Sequence, residues 1–162
     1  MSSFQCLWKG VRNMSVNSQN PQKGRDFEMA VMRWFEKHYK KPFENNKPFA
    51  IGTPPKPHRF DVVSCDNSIV AECKCITWTG TGNMPSAKMA FTNEAVFYLS
   101  FIHSAETYII IKKSVHIKKP ETLAEYYYRT NKHLLGRTKV WEYDDEQDAM
   151  REIGKCHEQP SD

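Results

Sequence analysis

Hydrophobic residues recur at helical spacing in the first long apolar stretch of the chain. Within residues 24–42, the apolar side chains fall on one arc of a helix and most charged side chains fall on the other. The apolar arc consists of Phe27, Ala30, Val31, Trp34, Phe35 and His38. The pattern therefore predicts an amphipathic helix that packs one face against a core and ends at Pro42.

Apolar runs of a different kind follow this helix and predict strands. A short strand is expected near residues 49–52, and stronger strands are expected over about 58–65 and 68–78. The Asp-Asn pair at 66–67 is a turn signal, so the two stronger strands are predicted to form a hairpin. The apolar run at 107–111 is typical of a fully buried central strand.

Three more helices are predicted in the second half of the chain. In residues 86–103 the apolar positions go nearly all round the helix, which is therefore expected to be largely buried. A helix over about 120–135, a short strand over 139–143 and an acidic helix over 145–153 follow. This order predicts a mixed α/β (α+β) fold, with a mixed central sheet flanked by helices.

The length and composition of the chain fit one domain that builds its own core. With 162 residues, 40% of them hydrophobic, we assign a flexible arm to residues 1–22, a single domain to 23–154 and a tail to 155–162. No apolar run approaches the roughly 18 residues of a membrane span, so no membrane partner is expected. Five cysteines and the lack of a signal-peptide pattern predict a cytoplasmic, reducing location.

The net charge of +4 is unevenly distributed along the chain. Residues 1–60 carry a net charge of +7, residues 61–111 carry −3, residues 112–140 carry +6 and residues 141–162 carry −6. Two basic segments thus flank an acidic middle. This distribution favours a polyanionic partner such as DNA, although basic segments also occur on ordinary solvated faces.

Two carboxylates are predicted to face each other across the hairpin. With the turn at 66–67, Asp61 lies opposite Glu72, and Lys74 shares their face. The other face carries Phe60, Val62, Ala71, Cys73 and Cys75, a set typical of a core. Opposed carboxylates repel, so a divalent cation or the lysine is expected to offset their charge. The alternative is a solvated face, on which these charges cost little.

Glu28 is a third carboxylate with an unusual predicted position. It lies on the inward arc of the first helix, between Phe35 and Tyr39, whereas the other mid-helix charges lie opposite. A buried carboxylate needs a metal, a hydrogen-bond donor or a proton. The alternative is a position at the edge of the arc, favoured by the helix N-terminal dipole.

The order and type of these residues resemble those of a known nuclease superfamily. A helix with Glu28, then Asp61, then Glu72-x-Lys74, a long helix and a central strand resemble the PD-(D/E)xK superfamily, which has the restriction-endonuclease-like fold. The resemblance covers residues 24–114 and implies an αβββαβ core. In size and residue set the chain is also similar to archaeal-type Holliday-junction resolvases. Phenylalanine replaces the proline that usually precedes the first aspartate.

The resemblance implies a Mg²⁺-dependent endonuclease that hydrolyses DNA, with Mn²⁺ able to substitute. Asp61, Glu72, the backbone carbonyl of Cys73 and Glu28 would hold metal, and Lys74 would orient the attacking water and stabilise negative charge. A homodimer is expected because cutting a duplex needs two sites. The alternatives are a catalytically degenerate nuclease fold that binds nucleic acid or serves as an assembly subunit, and an unrelated α/β interaction domain.

Further residues are candidates for contacts with nucleic acid. Trp78 precedes a loop with two glycines, where it could stack on a base or pack as an ordinary connection residue. Lys112, Lys113, Arg129 and Lys132 belong to the second basic segment and are candidate phosphate contacts.

Overall fold

The computed structural model describes residues 19–155, so most of the predicted arm and nearly all of the predicted tail lie outside the described residues. The elements in chain order are α1 (Gln19–Tyr39), β1 (Phe43–Ile51), β2 (Lys56–Ser64), β3 (Ile69–Lys74), α2 (Ser86–Ser100), β4 (Glu106–Lys112), α3 (Leu123–Asn131), a 3-10 turn (Lys132–Leu134), β5 (Lys139–Asp144) and β6 (Ala149–Glu152). Helix α1 thus begins before residue 24, where the sequence pattern places its start.

The six strands form one mixed sheet in the order β1-β2-β3-β4-β5-β6. Strands β1, β2 and β3 pair antiparallel, β3, β4 and β5 pair parallel, and β6 pairs antiparallel with β5. Helices α2 and α3 lie in the connections between the parallel strands, because such pairs need a crossover. The predicted mixed fold with an αβββαβ core is confirmed.

The helices cover the two faces of the sheet. Helix α1 packs on one face, where the ring of Phe35 meets Tyr108 and Trp141 edge-on at 5.7 and 6.0 Å. Helices α2 and α3 pack on the other face, which buries Val70 and Ile109. Because side chains alternate along a strand, Glu72 and Lys74 belong to the same face of β3 as Val70. None of the helices in the described part of the chain combines the length and hydropathy that a membrane crossing requires.

The hairpin between β2 and β3 has the predicted register, but Phe60 lies on an unexpected face. Val62 pairs with Ala71 and Val63 with Val70, as a turn at residues 66–67 requires. Phe60 packs in the cluster under α2, although Val62 packs under α1. The β1–β2 pairing skips Asn46, which has a left-handed backbone (φ 54°). At this interruption β2 twists, so that Phe60 and Val62 point to opposite faces of the sheet although they are two residues apart. The expected placement of Phe60 beside Val62 is therefore wrong.

The prediction of an acidic helix over residues 145–153 is also wrong, because these residues form a turn and strand β6. The Asp144 carboxylate accepts hydrogen bonds from the backbone N–H groups of Glu146 and Gln147 at 3.1 and 3.3 Å. These contacts stabilise the turn that joins β5 to β6. The returning strand then pairs with β5. Pairing with a strand already in place outweighs the helical preference of this segment.

Helix α2 is less buried than its sequence predicts. Met89, Ala95 and Leu99 are buried against the sheet, but Phe91 and Phe97 are exposed. Phe101, which caps the C-terminus of α2, is exposed as well. The prediction of a largely buried helix is therefore wrong, because the described part of the chain places no element over its outer face.

Gly154 permits a close approach between the end of β6 and α3. Its φ is +91°, and a Cβ atom there would lie 2.2–2.6 Å from atoms of the Tyr128 side chain. Gly154→Ala is expected to lower the free energy of unfolding by about 2–4 kcal/mol, measured by urea denaturation. Gly24→Ala is the control, because no atom lies within 4 Å of its Cβ position in α1. It should stabilise the protein by about 0.5–1 kcal/mol, and equal losses in the two variants would contradict the geometry.

Candidate active site

Three of the four predicted catalytic residues line one open groove. Asp61 comes from β2, and Glu72 and Lys74 come from the last residues of β3. The groove has a volume of about 360 Å³, and α2 forms its far wall with Phe91 and Tyr98. The hairpin register explains this convergence, since it sets Asp61 beside Glu72 on the face under α2.

Asp61 is held where the regular pairing of β2 is interrupted. The side-chain amide of Asn45 donates a hydrogen bond to the Asp61 carbonyl at 2.8 Å. On the other side, the backbone N–H of Cys73 donates to Asp61 Oδ2, also at 2.8 Å. The carboxylate of Asp61 therefore takes the place of a backbone acceptor, and both neighbouring strands fix its position.

Glu72 and Lys74 form a largely buried ion pair. Lys74 Nζ lies 2.8 Å from Glu72 Oε2, and the two side chains are 18% and 9% exposed. Burial and the nearby Asp61 carboxylate raise the pKa of Glu72 to about 7, against the opposing effect of Lys74. Burial disfavours the charge on Lys74, but Glu72 and Asp61 outweigh it and hold the Lys74 pKa above its ordinary value. Lys74 is therefore a fixed positive charge between two carboxylates.

Glu28 reaches the same region from helix α1. It is half-buried, and its Oε2 accepts a hydrogen bond from the Asn45 side-chain amide at 3.2 Å. Burial raises the Glu28 pKa, the Asp61 carboxylate raises it further, and Asn45 and Lys74 oppose the shift. The amide of Asn45 thus bridges Glu28 and the backbone of Asp61.

Sequence reasoning missed Asn45, although a signal was present. Two successive asparagines, Asn45 and Asn46, interrupt a segment that the structure shows to be strand β1. Asparagine is depleted in strands and tolerates the left-handed backbone that Asn46 adopts. An Asn-Asn pair inside a strand therefore indicates a local irregularity, which here lies beside Asp61.

The site carries more negative than positive charge. Three carboxylates surround one lysine, and the pKa values of Glu28 and Glu72 are raised by burial and then by the nearby Asp61 carboxylate. In residues 19–155 no three His, Cys, Asp or Glu side chains are grouped closely enough to hold a metal ion by themselves. The oxygen donors that could do so are the carboxylates of Asp61 and Glu72 with the carbonyl of Cys73. Such a set fits Mg²⁺, which binds through one or two carboxylates and keeps several waters.

None of the four basic residues proposed as phosphate contacts lines this groove, and three of them are in ion pairs. Lys113 Nζ lies 2.7 Å from Asp144, and Arg129 Nε lies 2.8 Å from Glu121. Lys112 pairs with Asp145. The fourth, Lys132, is exposed in the 3-10 turn after α3.

Trp78 lies half-buried against the core. Its ring meets those of His116 and Tyr126 edge-on, with centroids 4.8 and 5.2 Å apart. Its backbone N–H donates to the Ser114 hydroxyl at 3.1 Å. These contacts tie the loop after β3 to the segment after β4, so the structure gives Trp78 a packing role.

The groove adds basic residues that the sequence did not single out. Arg59 lines it, is exposed, and donates to the Asn46 carbonyl at 2.7 Å. His58 lines it too and stacks on Tyr98, with ring centroids 4.1 Å apart. Lys88, in the first turn of α2, lines an adjoining depression that also contains Lys74. Their common location depends on the folded arrangement of β2 and α2, so sequence spacing does not show it.

Comparisons with known proteins give one distant structural likeness. No protein-family model matches the chain, and no curated protein matches it. Among solved structures, it is similar to the crystal structure of an XisH family protein from Nostoc punctiforme, with a TM-score of 0.43 and 12% sequence identity. The match covers 79% of this chain and 98% of that chain. None of these results places the chain in a family.

Proposed function

We propose that this protein is a Mg²⁺-dependent endonuclease that hydrolyses phosphodiester bonds of DNA. The observation that carries the proposal is the grouping of Asp61, Glu72 and Lys74 in one open groove, with Lys74 paired to a buried carboxylate. Phosphodiester hydrolysis needs an oriented water and a positive charge near the phosphate as its negative charge develops. The groove offers groups for both tasks, and the strand order supports the resemblance to PD-(D/E)xK nucleases.

Lys74 is the residue that would act directly on the scissile phosphate. Because Glu72 and Asp61 keep it protonated, it is better suited to stabilise negative charge than to remove a proton. Its ammonium group can also donate a hydrogen bond that orients the attacking water. Glu72, which holds the ammonium at 2.8 Å, fixes the direction of this donor.

Asp61 and Glu72, with the carbonyl of Cys73, are the residues that would hold Mg²⁺ or Mn²⁺. When bound there, the ion would polarise the phosphate and lower the pKa of a bound water. Asp61 is already immobilised through the Cys73 N–H. Glu28 would accept hydrogen bonds from water at the edge of this site or bind a second ion, and Asn45 positions Glu28 relative to Asp61.

A DNA backbone is the substrate class that the surroundings favour. Arg59 and Lys88 supply positive charge at the groove and its adjoining depression, next to the three acidic residues. Lys112, Lys113 and Arg129 are already engaged by acidic partners, so we assign them a smaller part in phosphate binding. The groove is open, which suits a polymer lying across it.

A second candidate function is a nuclease fold that binds nucleic acid without cutting it. The observation that favours it is that, within residues 19–155, no group of three acidic, histidine or cysteine side chains is arranged for a metal. The four residues of the site are nevertheless all present, and a decayed site should have lost members. We therefore place this function second.

The two functions are separated by a cleavage assay with supercoiled plasmid, linear duplex, single strands and a four-way junction. We expect cutting in Mg²⁺ or Mn²⁺ and none in EDTA. Glu44→Gln is the matched control for the inactive variant Asp61→Asn, because Glu44 is an exposed β1 carboxylate outside the groove, and Glu44→Gln should cut like the wild type. Cutting that persists in EDTA would contradict the metal site. Salt-sensitive binding without cutting would support the second function.

A further inference from the structure

Phe91 is an exposed aromatic residue in the wall of the candidate active site. Its side chain is 64% exposed. Like Lys74, it lines both the groove and the adjoining depression. Most of the other residues that line the groove are charged or polar. An aromatic ring among a few charged groups is the usual composition of a site that binds a flat organic ligand.

Helical spacing turns Phe91 towards the groove and away from the other exposed phenylalanines of this region. The residues of α2 that line the groove or its adjoining depression recur at helical spacing: Lys88, Phe91, Glu94, Ala95 and Tyr98. They form one stripe along the helix. Phe97 and Phe101 lie outside this stripe, where their rings pack edge-to-face with centroids 5.1 Å apart. Phe91 therefore belongs to the site, and Phe97 does not.

The ring of Phe91 is available for stacking. The two other rings of the groove, His58 and Tyr98, stack on each other with centroids 4.1 Å apart. Within residues 19–155, Phe91 has no such aromatic partner. Nucleobases are flat ligands that stack well on aromatic side chains, whatever their sequence. Phe91 is therefore suited to take up a base of the substrate.

Positive charge next to Phe91 favours the phosphate that belongs to such a base. Lys74 lines the same groove and depression as Phe91, and Lys88 lies one helical turn before Phe91 on the same stripe. Glu94 lies on the other side of Phe91, where its carboxylate accepts a hydrogen bond from the Tyr98 hydroxyl at 3.3 Å. Electrostatic attraction therefore directs a phosphate to the lysine side of the groove and leaves the attached base beside Phe91.

A base can cover this ring only after it has left the base stack. Successive bases of a duplex lie about 3.4 Å apart, which leaves no room for a ring between them, and the duplex grooves present base edges. An unpaired nucleotide is unstacked at a much lower cost. We propose that Phe91 stacks on an unpaired base, so that the protein prefers DNA with an unpaired nucleotide next to the scissile phosphate. This inference rests on the proposed function.

Cleavage of two DNA duplexes tests the preference. They share sequence and ends, but one contains a single unpaired nucleotide at a central position. In Mg²⁺ the wild type should cut beside this nucleotide and with the higher kcat/KM. Phe91→Ala should lower the ratio of the two kcat/KM values about 5- to 100-fold, as the loss of one base–aromatic stack does, and Phe91→Trp should keep the ratio high. Phe97→Ala is the matched control, because Phe97 is 60% exposed on the same helix but outside the groove.

A photochemical cross-link tests the stacking without any cleavage. The unpaired nucleotide is replaced by 5-iododeoxyuridine, which on irradiation forms a bond to an aromatic side chain stacked on it, and the binding is done in EDTA. Mass spectrometry should locate the cross-link at Phe91. Its yield should fall in Phe91→Ala and persist in Phe97→Ala.

The two measurements separate this inference from the proposed function. A cross-link at Phe91 supports the inference even if no DNA is cut, a result that would refute only the proposed function. Cutting of both duplexes at equal rates without a cross-link at Phe91 would overturn the inference and leave the proposed function standing. Equal losses in Phe91→Ala and Phe97→Ala would overturn it as well.

Discussion

Asp61→Asn is expected to abolish DNA cleavage, on the order of 1,000-fold or more, since it removes a charge that would hold the metal. The same variant should unfold at a temperature no lower than the wild type in EDTA. An amide oxygen can still accept the hydrogen bond from the Cys73 N–H, and a neutral side chain no longer repels Glu72 and Glu28. Cleavage assays and thermal unfolding of one preparation measure both effects.

Asp61→Ala is the informative comparison for this variant. It also removes the charge, but it leaves the Cys73 N–H without its acceptor, which costs about 1–3 kcal/mol in a partly buried position. We therefore expect two inactive variants with different stabilities. Residual cutting by Asp61→Asn, or a melting temperature as low as that of Asp61→Ala, would show that Asp61 does not have the dual role described here.

Lys74→Met should destabilise the protein by about 3–5 kcal/mol in EDTA, because it leaves the buried Glu72 carboxylate without its cation. Methionine keeps the length of the side chain, so the loss of stability mainly measures the effect of removing the positive charge. Added Mg²⁺ should restore part of the stability, since an ion that binds the folded state stabilises it. Urea unfolding with and without Mg²⁺ measures this recovery, and DNA cleavage should be lost in both conditions.

Lys112→Met provides the matched control for Lys74. Lys112 is also in an ion pair, with Asp145, but both side chains are more exposed. Exposed pairs contribute about 0–1 kcal/mol, so this variant should lose little stability and respond to Mg²⁺ like the wild type. If both lysine variants lost the same stability, or if Mg²⁺ restored the stability of both equally, Lys74 would not balance the buried charge of Glu72.

The parts of the site that the sequence predicts are those set by local rules. The turn at 66–67 determines the register of the hairpin, and the register brings Asp61 beside Glu72. The alternation of side chains along β3 then places Lys74 on the same face. The helical spacing of α1 likewise puts Glu28 on the inward arc, and the structure shows it half-buried there.

The parts that the sequence does not predict depend on contacts between distant segments. The bridge made by Asn45 needs the β1–β2 pairing and its interruption, neither of which can be read from hydrophobic spacing. Strand β6 forms because β5 offers an edge to the returning chain. The ion pairs of Lys112 and Lys113 depend on the same turn. The sequence correctly predicts that α2 is an apolar helix. Periodicity alone does not show which other elements of the fold cover its faces.

The two outer strands of the sheet bear on how copies of this chain can meet. Strand β1 carries Lys47, Pro48 and the left-handed Asn46, and β6 has only four residues, with Arg151 exposed among them. Charge, proline, irregular backbone and short length all disfavour the addition of a foreign strand. Growth by sheet extension, the usual start of a fibril, is therefore blocked at both ends. Encounters between folded molecules at high concentration should therefore not lead to aggregation through strand edges.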